Sequence, residues 1–361
     1  MRSIIGLRDT ARGPFPPVHP AVANHFAANS AAPIQLYPVN LDMKQAECVR
    51  CLLCDQRRTC ITADWNSDAI AVFLATDANV EDYFLAARPR VSIFLDPHDK
   101  GRKLDFLLLS DAMWETAARE NLQIIYLKLQ VHDASKYAEL NRARENVHVL
   151  SWPLLLGGSR FHITVQEDFA GENLFSRTLL PNVPANYEFD FSCIGAITSP
   201  DRQAAFDLLA ASSRENKFLT ISKPGHADAA GATVPLEEYL RISRASRICV
   251  SLNGRGPWCL KDGELLANGC FILRQWHPSI DLNPLTPRDG VHWRIFRTEN
   301  LLQTIEQCLA EPRECERIAA AGHAMFREAV RHSLWSKRYA EGLGEFLQSG
   351  KKSAWGELAF G

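Results

Sequence analysis

The sequence lacks a surplus of either charge. Lys and Arg total 40 against 42 Asp and Glu, a formal net charge of −2, and the two signs are mixed along the chain. A nucleic-acid surface shows as clustered Lys and Arg, so no nucleic-acid partner is expected. Long apolar runs are also missing. Stretches such as "DFLLLSDAMW" fall far short of the roughly 20 residues that a membrane span takes, so no transmembrane segment is expected. The opening "MRSIIGLRDTARGPF" has neither the apolar core nor the small-residue cleavage site of a secretion signal, and a cytoplasmic location is the expectation. No unit recurs at a fixed period.

What remains is ordinary globular composition: 361 residues, 46% hydrophobic and 23% charged. That length favours two domains, each large enough for its own core. Of the ten cysteines, several lie within apolar segments, among them Cys193, Cys249, Cys270 and Cys308. They read as small buried hydrophobes. Cys48, Cys51, Cys54 and Cys60 cluster in "ECVRCLLCDQRRTC". Two C-x2-C steps match part of an iron–sulfur or zinc spacing, but the last gap is longer and no Pro follows. A helix that turns its cysteines and leucines to the core and a metal site both remain open; a structural disulfide is the weaker reading in a cytosolic protein.

Residues 1–65 read as an irregular lead-in to an N-terminal domain, rich at first in Pro, Ala and Asn, with one early strand at "SIIGL". From residue 66 short apolar runs alternate with helical or turn stretches: "AIAVFLA", "VSIFLDP", "DFLLLSD", "LQIIYLKL" and "NVHVLSW". This rhythm predicts a parallel sheet covered on both faces. It closes at about residue 182, near the aperiodic, Pro-containing "LLPNVPANYEFD". A second series over 183–333 repeats it. Strands are expected at "FDFSCIGAIT", "KFLTISKPG", "RICVSLNG", "CFILRQW" and "HWRIFRT". Helices are expected at "DRQAAFDLLAAS", "PLEEYLRISRAS" and "KDGELLANG", the last stopped by Gly269. The fold class is therefore α/β, with two open sheets facing each other across a cleft at the carboxyl ends of their strands.

The stretch "SLNGRGPWCLKDGELLANGCFILRQW" concentrates the chemistry. Asn253, Gly254 and Gly256 follow a strand directly, where bare backbone lets N–H groups approach an anion. Pro257 and Trp258 stiffen the loop. The helix beginning near Lys261 aims its positive end at the same space. Lys261 and Glu264, three apart, share a helical face. Cation, dipole and amides suit a diphosphate, and a carboxylate suits the hydroxyls of a ribose. The same features also fit a Gly-rich turn beside a solvent-exposed ion pair.

At these residues the chain resembles the donor-binding half of GT-B glycosyltransferases, nearest the CgeB-like group and more distantly the exostosin-like transferases. The resemblance rests on "EYLRISRASRICVSLNGRGPWCLKDGELLANGCFILRQ", with Lys261 three before Glu264 and Ala267-Asn268-Gly269 leading into "CFIL". It extends to Gly195 and Arg202 upstream and to Gly322, His332 and Arg338 downstream. It covers about 187–340, more weakly 68–155, and nothing over 1–65. It implies two Rossmann-like domains, and a C-terminal helix, 334–361, that crosses back to the N-terminal one. It also implies transfer of a sugar from a nucleotide-diphosphate sugar to a carbohydrate, glycan or protein acceptor. Many retaining members carry a second Glu eight positions earlier; here that position is Gly256, which leaves retaining and inverting chemistry open. Lys at 261 in place of the usual Arg keeps the charge without the bidentate fork.

The chain contains no Asp-x-Asp, the motif by which some transferases hold a divalent metal. The expectation is therefore a transfer that needs no metal or other cofactor, with Lys261, Arg202 and Lys223 carrying the leaving charge. Trp258 or Trp276 would line the base or sugar pocket. An inverting transfer also needs a base at the end of an N-terminal strand. Asp96 and His98 of "LDPHD" are the first choice, with Asp99, Asp111, His132 and Asp133 behind them and His277 on the donor side. Two other readings stand beside the transferase: an epimerase or hydrolase of the same fold, and a binding protein without catalysis.

Overall fold

The structure is a computed structural model. It describes residues 32–41, 58–66, 68–96, 107–129, 131, 133–151, 187–197, 199–222, 234–254, 259–280, 286–330 and 335–360, with scattered positions among 15–23 and 46–54. Two parallel sheets organise the chain, as the strand–helix rhythm predicts. The first is built from β1 (Ile34–Pro38), β2 (Thr59–Ile61), β3 (Ile70–Leu74), β4 (Val91–Asp96), β5 (Gln123–Lys128) and β6 (Val147–Ser151), in the order β2-β1-β3-β4-β5-β6. The second holds β7 (Phe189–Ala196), β8 (Lys217–Ser222), β9 (Ser246–Ser251), β10 (Ile272–Gln275) and β11 (Arg294–Phe296), in the order β11-β10-β9-β7-β8. Every strand pair in both is parallel. β4 and β6 are buried at every position, the polar Ser92, Asp96, His148 and Ser151 included, as in a parallel sheet covered on both faces.

In each sheet the chain enters at an interior strand, places the next strand on one side and then reverses to the other. The points of reversal lie between β1 and β3, and between β7 and β9. In open parallel sheets such a reversal leaves a crevice at the carboxyl ends of the strands. The connecting helices in the first unit are α1 (Val80–Ala87), α2 (Asp111–Glu120) and α3 (Ala134–Ala143). In the second unit they are α4 (Pro200–Ala211), α5 (Leu236–Arg244) and α6 (Leu260–Ala267), followed by α7 (Leu301–Ala310) and α8 (Pro312–Val330). Gly269 ends α6 with a φ of 67°, the left-handed geometry its place in the sequence predicts.

Two expectations about the first sheet fail. Part of the lead-in supplies β1, an interior strand, and β2, which contains Cys60. Gln35 and Pro38 interrupt the apolar run, and only tertiary pairing with β3 declares it a strand. In the described part of "DFLLLSD", residues 107–110 form no strand. The Leu108 amide donates to the Tyr126 hydroxyl at 2.9 Å instead of joining a ladder. Ser110 then caps α2, accepting from the Met113 amide at 3.2 Å. The early "SIIGL" strand lies outside the described residues.

The end of the chain returns to the first sheet. α9 (Trp335–Ser349) and a 3-10 segment (Lys352–Leu358) lie against β6. The Tyr339 hydroxyl donates to the Ser151 carbonyl. The ring of Phe346 meets His148 edge-on at 4.5 Å, and Leu150 bridges to Ala359. Asn141 stitches the two together: its Nδ2 donates to the carbonyls of Val149 at 3.0 Å and Phe360 at 2.9 Å. β6 is an edge strand, and this segment covers an otherwise open template for aggregation. Tyr339, Leu343 and Phe346 are all buried on α9; Leu334, the first of that apolar stripe, is outside the described residues. Among the described residues no helix is long and apolar enough to cross a membrane.

α8 packs on α6 at Gly322. A Cβ there would lie 2.5 Å from the His292 carbonyl oxygen and 2.7 Å from Leu266 Cδ2. The backbone oxygen cannot swing aside as a flexible side chain would. Gly322→Ala is expected to cost about 1–3 kcal/mol, measured as a lower urea midpoint. An unchanged midpoint would show that the two helices are free to separate.

Candidate functional site

The carboxyl ends of β7, β9 and β10 bring together most of the described residues that the sequence singles out. Lys261, in the first turn of α6, sends its ammonium to the crevice between β7 and β9. Its Nζ donates to the carbonyls of Ile194 at 3.1 Å and Val250 at 3.0 Å. An ammonium has three donors, and the strand ends hold two of them. Arg202, in the first turn of α4, reaches the same edge, and its guanidinium donates to the Leu252 carbonyl at 3.5 Å. A Cβ at Gly195 would sit 3.0 Å from that guanidinium, so glycine is what leaves room for it.

The loop after β9 is tied down from β10. The Asn253 amide donates to Gln275 Oε1 at 2.9 Å, and Asn253 Nδ2 donates to the Trp276 carbonyl at 2.8 Å. Arg274 donates to Asn253 Oδ1 at 2.7 Å and to Asp262 Oδ2 at 3.0 Å. Asp262 also accepts from the Cys259 amide at 3.1 Å and from the Ser251 hydroxyl. Arg274 and Asp262 are both fully buried. Gln275 in turn donates to the Thr298 hydroxyl at 3.0 Å. The reading of the sequence missed Arg274, Gln275, Ser251 and Asp262. The signal was there: Arg274 and Gln275 are two polar residues in a row inside a strand that is otherwise apolar.

The electrostatics follow from this convergence. Burial pushes the Cys259 thiol up and Asp262 adds to that, while Arg274, Arg202 and Lys261 all pull it down. Cys193 is likewise raised by burial and opposed by Lys261 and Arg202. Three cations thus act on one small region at the carboxyl edge of the sheet.

Glu264 takes another direction. It is buried, and its carboxylate lies beside Tyr239 of α5. Burial first, then that carboxylate, hold the Tyr239 phenol well above its ordinary range. Gly254 is half-buried at the start of the loop, while Gly256, Trp258 and Lys223 lie outside the described residues. Trp276 carries the Arg297 guanidinium over its ring at 3.8 Å. His277 accepts from the Ser279 amide at 3.1 Å.

In the first unit Asp96 ends β4, fully buried. It accepts from Lys128 Nζ at 2.7 Å and from the Tyr126 hydroxyl at 2.6 Å. His98, Asp99 and His132 lie outside the described residues. Asp111 is exposed at the start of α2. Asp133 caps α3, accepting from the Ser135 amide at 3.0 Å. Of the cysteine cluster, Cys54 and Cys60 are buried thiols, and burial raises Cys60; Cys48 and Cys51 lie outside the described residues. Among the described residues no three His, Cys, Asp or Glu side chains gather as a metal site would require.

No family model and no curated protein matches the chain. Among solved structures, Anabaena Alr3699/HepE in complex with UDP-glucose is 10% identical, with a TM-score of 0.46 over 86% of this chain and 99% of that one. An alpha1,3-fucosyltransferase with GDP is 11% identical, with a TM-score of 0.43 over 88% and 97%. TarM is 10% identical, with a TM-score of 0.42; the match covers 78% of this chain and only 55% of TarM. Likeness at this level concerns the fold alone.

Proposed function

We propose that the protein is a GT-B glycosyltransferase that binds a nucleotide-diphosphate sugar at the carboxyl edge of its second sheet. In this reading it transfers the sugar to an acceptor held by the first unit. One observation carries the reading: the Lys261 ammonium lies at the reversal point between β7 and β9, with Arg202 beside it. Ligands of open α/β sheets collect at that point, and a diphosphate suits two cations and a helix start. Lys261 and Arg202 take the leaving diphosphate. Gly254, in the loop that Arg274 and Gln275 pin through Asn253, offers it a main-chain amide. Glu264, which the sequence offered for the ribose hydroxyls, is buried against Tyr239 and takes no part in this reading. The absence of any Asp-x-Asp supports a transfer in which these cations, and no metal, stabilise the leaving group.

A second reading, a protein that binds the nucleotide sugar without transferring it, is favoured by Asp96. As a base it would have to leave Lys128 and Tyr126, both of which it holds in a buried site.

A thermal-shift screen with UDP, GDP, CDP and dTDP, with and without Mg2+, tests the site. A nucleotide at ten times its Kd is expected to stabilise the protein by about 1.4 kcal/mol. Lys261→Ala and Arg202→Ala are expected to remove the shift. If both variants respond like the wild type, the site lies elsewhere. If binding needs Mg2+, the metal-free mechanism is wrong.

A further inference from the structure

The opposite edge of the second sheet carries a groove of its own. Its walls are the start of β9, the turn between α6 and β10, and the corner where α7 meets α8. It is a shallow groove, open to solvent, with about 80 Å³ of accessible space inside. Cys270, Cys308 and Cys315 line it, and Cys249 is buried nearby on β9. All four are free thiols, set in two pairs: Cys270 beside Cys249, and Cys315 beside Cys308.

The two pairs differ in their surroundings. Cys249 belongs to a sheet ladder, its amide bonded to the Phe271 carbonyl at 2.9 Å. Its thiol donates to the Ser243 carbonyl at 3.2 Å and accepts from Ser192. Cys308 and Cys315 instead face each other across a tight helical corner. Cys308 is in the last turn of α7 and Cys315 in the first turn of α8. The Glu311 amide donates to the Cys308 carbonyl at 3.2 Å, and the Cys315 amide to the Glu311 carbonyl at 3.2 Å. The Cys315 sulfur lies 3.3 Å from the Cys308 carbonyl oxygen. Neither side chain has a ladder to break, and both border an open groove.

We propose that Cys308 and Cys315 are a modification site: a dithiol that closes to a reversible disulfide by exchange with a small-molecule disulfide entering the groove. The Cys308 thiolate attacks one sulfur of the small disulfide, forms a mixed disulfide and expels one thiolate. The Cys315 thiolate then attacks the Cys308 sulfur, breaks the mixed bond and expels the second. The protein loses two electrons, the small disulfide gains them, and the protons of Cys308 and Cys315 end on the two released thiols. The order of attack follows the surroundings: the neighbouring Cys315 side chain lowers Cys308, while Cys308 and then burial raise Cys315. The closed bond fixes the corner from which α8 runs to Gly322 and its contact with α6.

The probe is oxidised glutathione, added to the folded full-length protein; free thiols are then alkylated and peptides mapped by mass spectrometry. The expected result is a loss of two titratable thiols from the chain's ten, a peptide linking Cys308 to Cys315, and full recovery with dithiothreitol. Cys315→Ser is expected to stop at the mixed disulfide on Cys308. The wild-type map decides the matter even if that variant fails to fold. The proposal is overturned if the folded protein keeps both thiols and loses them only in urea. It is equally overturned if the linked pair is Cys249–Cys270.

Discussion

Arg274→Met is expected to destabilise the protein by about 3–5 kcal/mol, the cost of leaving one member of a buried ion pair without its partner. Arg274 and Asp262 are both fully buried, 3.0 Å apart. Methionine fills the volume, so the loss is electrostatic and not a cavity effect. Removing the guanidinium also frees Asn253 Oδ1, and the loop after β9 should lose protection at the Asn253 amide in hydrogen exchange. Asp262→Asn in the Arg274→Met background is expected to recover part of the loss: it removes the stranded charge and keeps an acceptor for the Cys259 amide. Urea unfolding of the single and double variants measures both effects. A single-variant cost below about 1 kcal/mol, a surface value, would show that water reaches the pair.

Acid is expected to loosen the other end of the molecule. His148 lies on β6 beneath Phe346 and Trp355. Burial, with the Lys352 charge second, lowers its pKa from the ordinary 6.5 to about 4. The folded chain therefore binds this proton less well than the unfolded chain. The stability it contributes is complete above pH 6.5 and declines as pH falls towards 4. A shift of that size corresponds to about 3 kcal/mol. His148→Gln has no such proton to bind, so its urea midpoint should fall less than the wild type's between pH 7 and pH 4.5. Carboxylates elsewhere contribute the same slope to both proteins and cancel in the comparison. Parallel slopes would mean that His148 is hydrated in the folded state.

The difference between these two sites shows what a sequence displays. His148 sits in "NVHVLSW", plainly a strand, yet nothing local says that the last residues of the chain will cover it. Arg274 is visible as a charge in an apolar strand, but its partner Asp262 is twelve positions away, on a helix that reads as ordinary. The lone cysteines were legible as buried thiols, because burial of a small apolar group needs no specific partner. Their arrangement in pairs was not, since Cys308 and Cys315 meet only where two helices turn a corner. Lys261 and Glu264 read as one face of a helix. In the fold they diverge, one to the strand ends and the other to Tyr239.

The sequence by itself determined two series of apolar strands separated by helices, the start and stop of α6, and the placing of glycine, lysine and asparagine just after β9. These depend on local periodicity, capping and backbone freedom, which a few neighbouring residues decide. Tertiary structure alone decided the strand order, the recruitment of Ile34–Pro38 into the middle of a sheet, and the return of the C-terminal helix to β6. It alone also set the partner of every buried charge. Each of these joins residues far apart in the chain, and a buried charge accepts only a partner that the whole fold brings within hydrogen-bond distance.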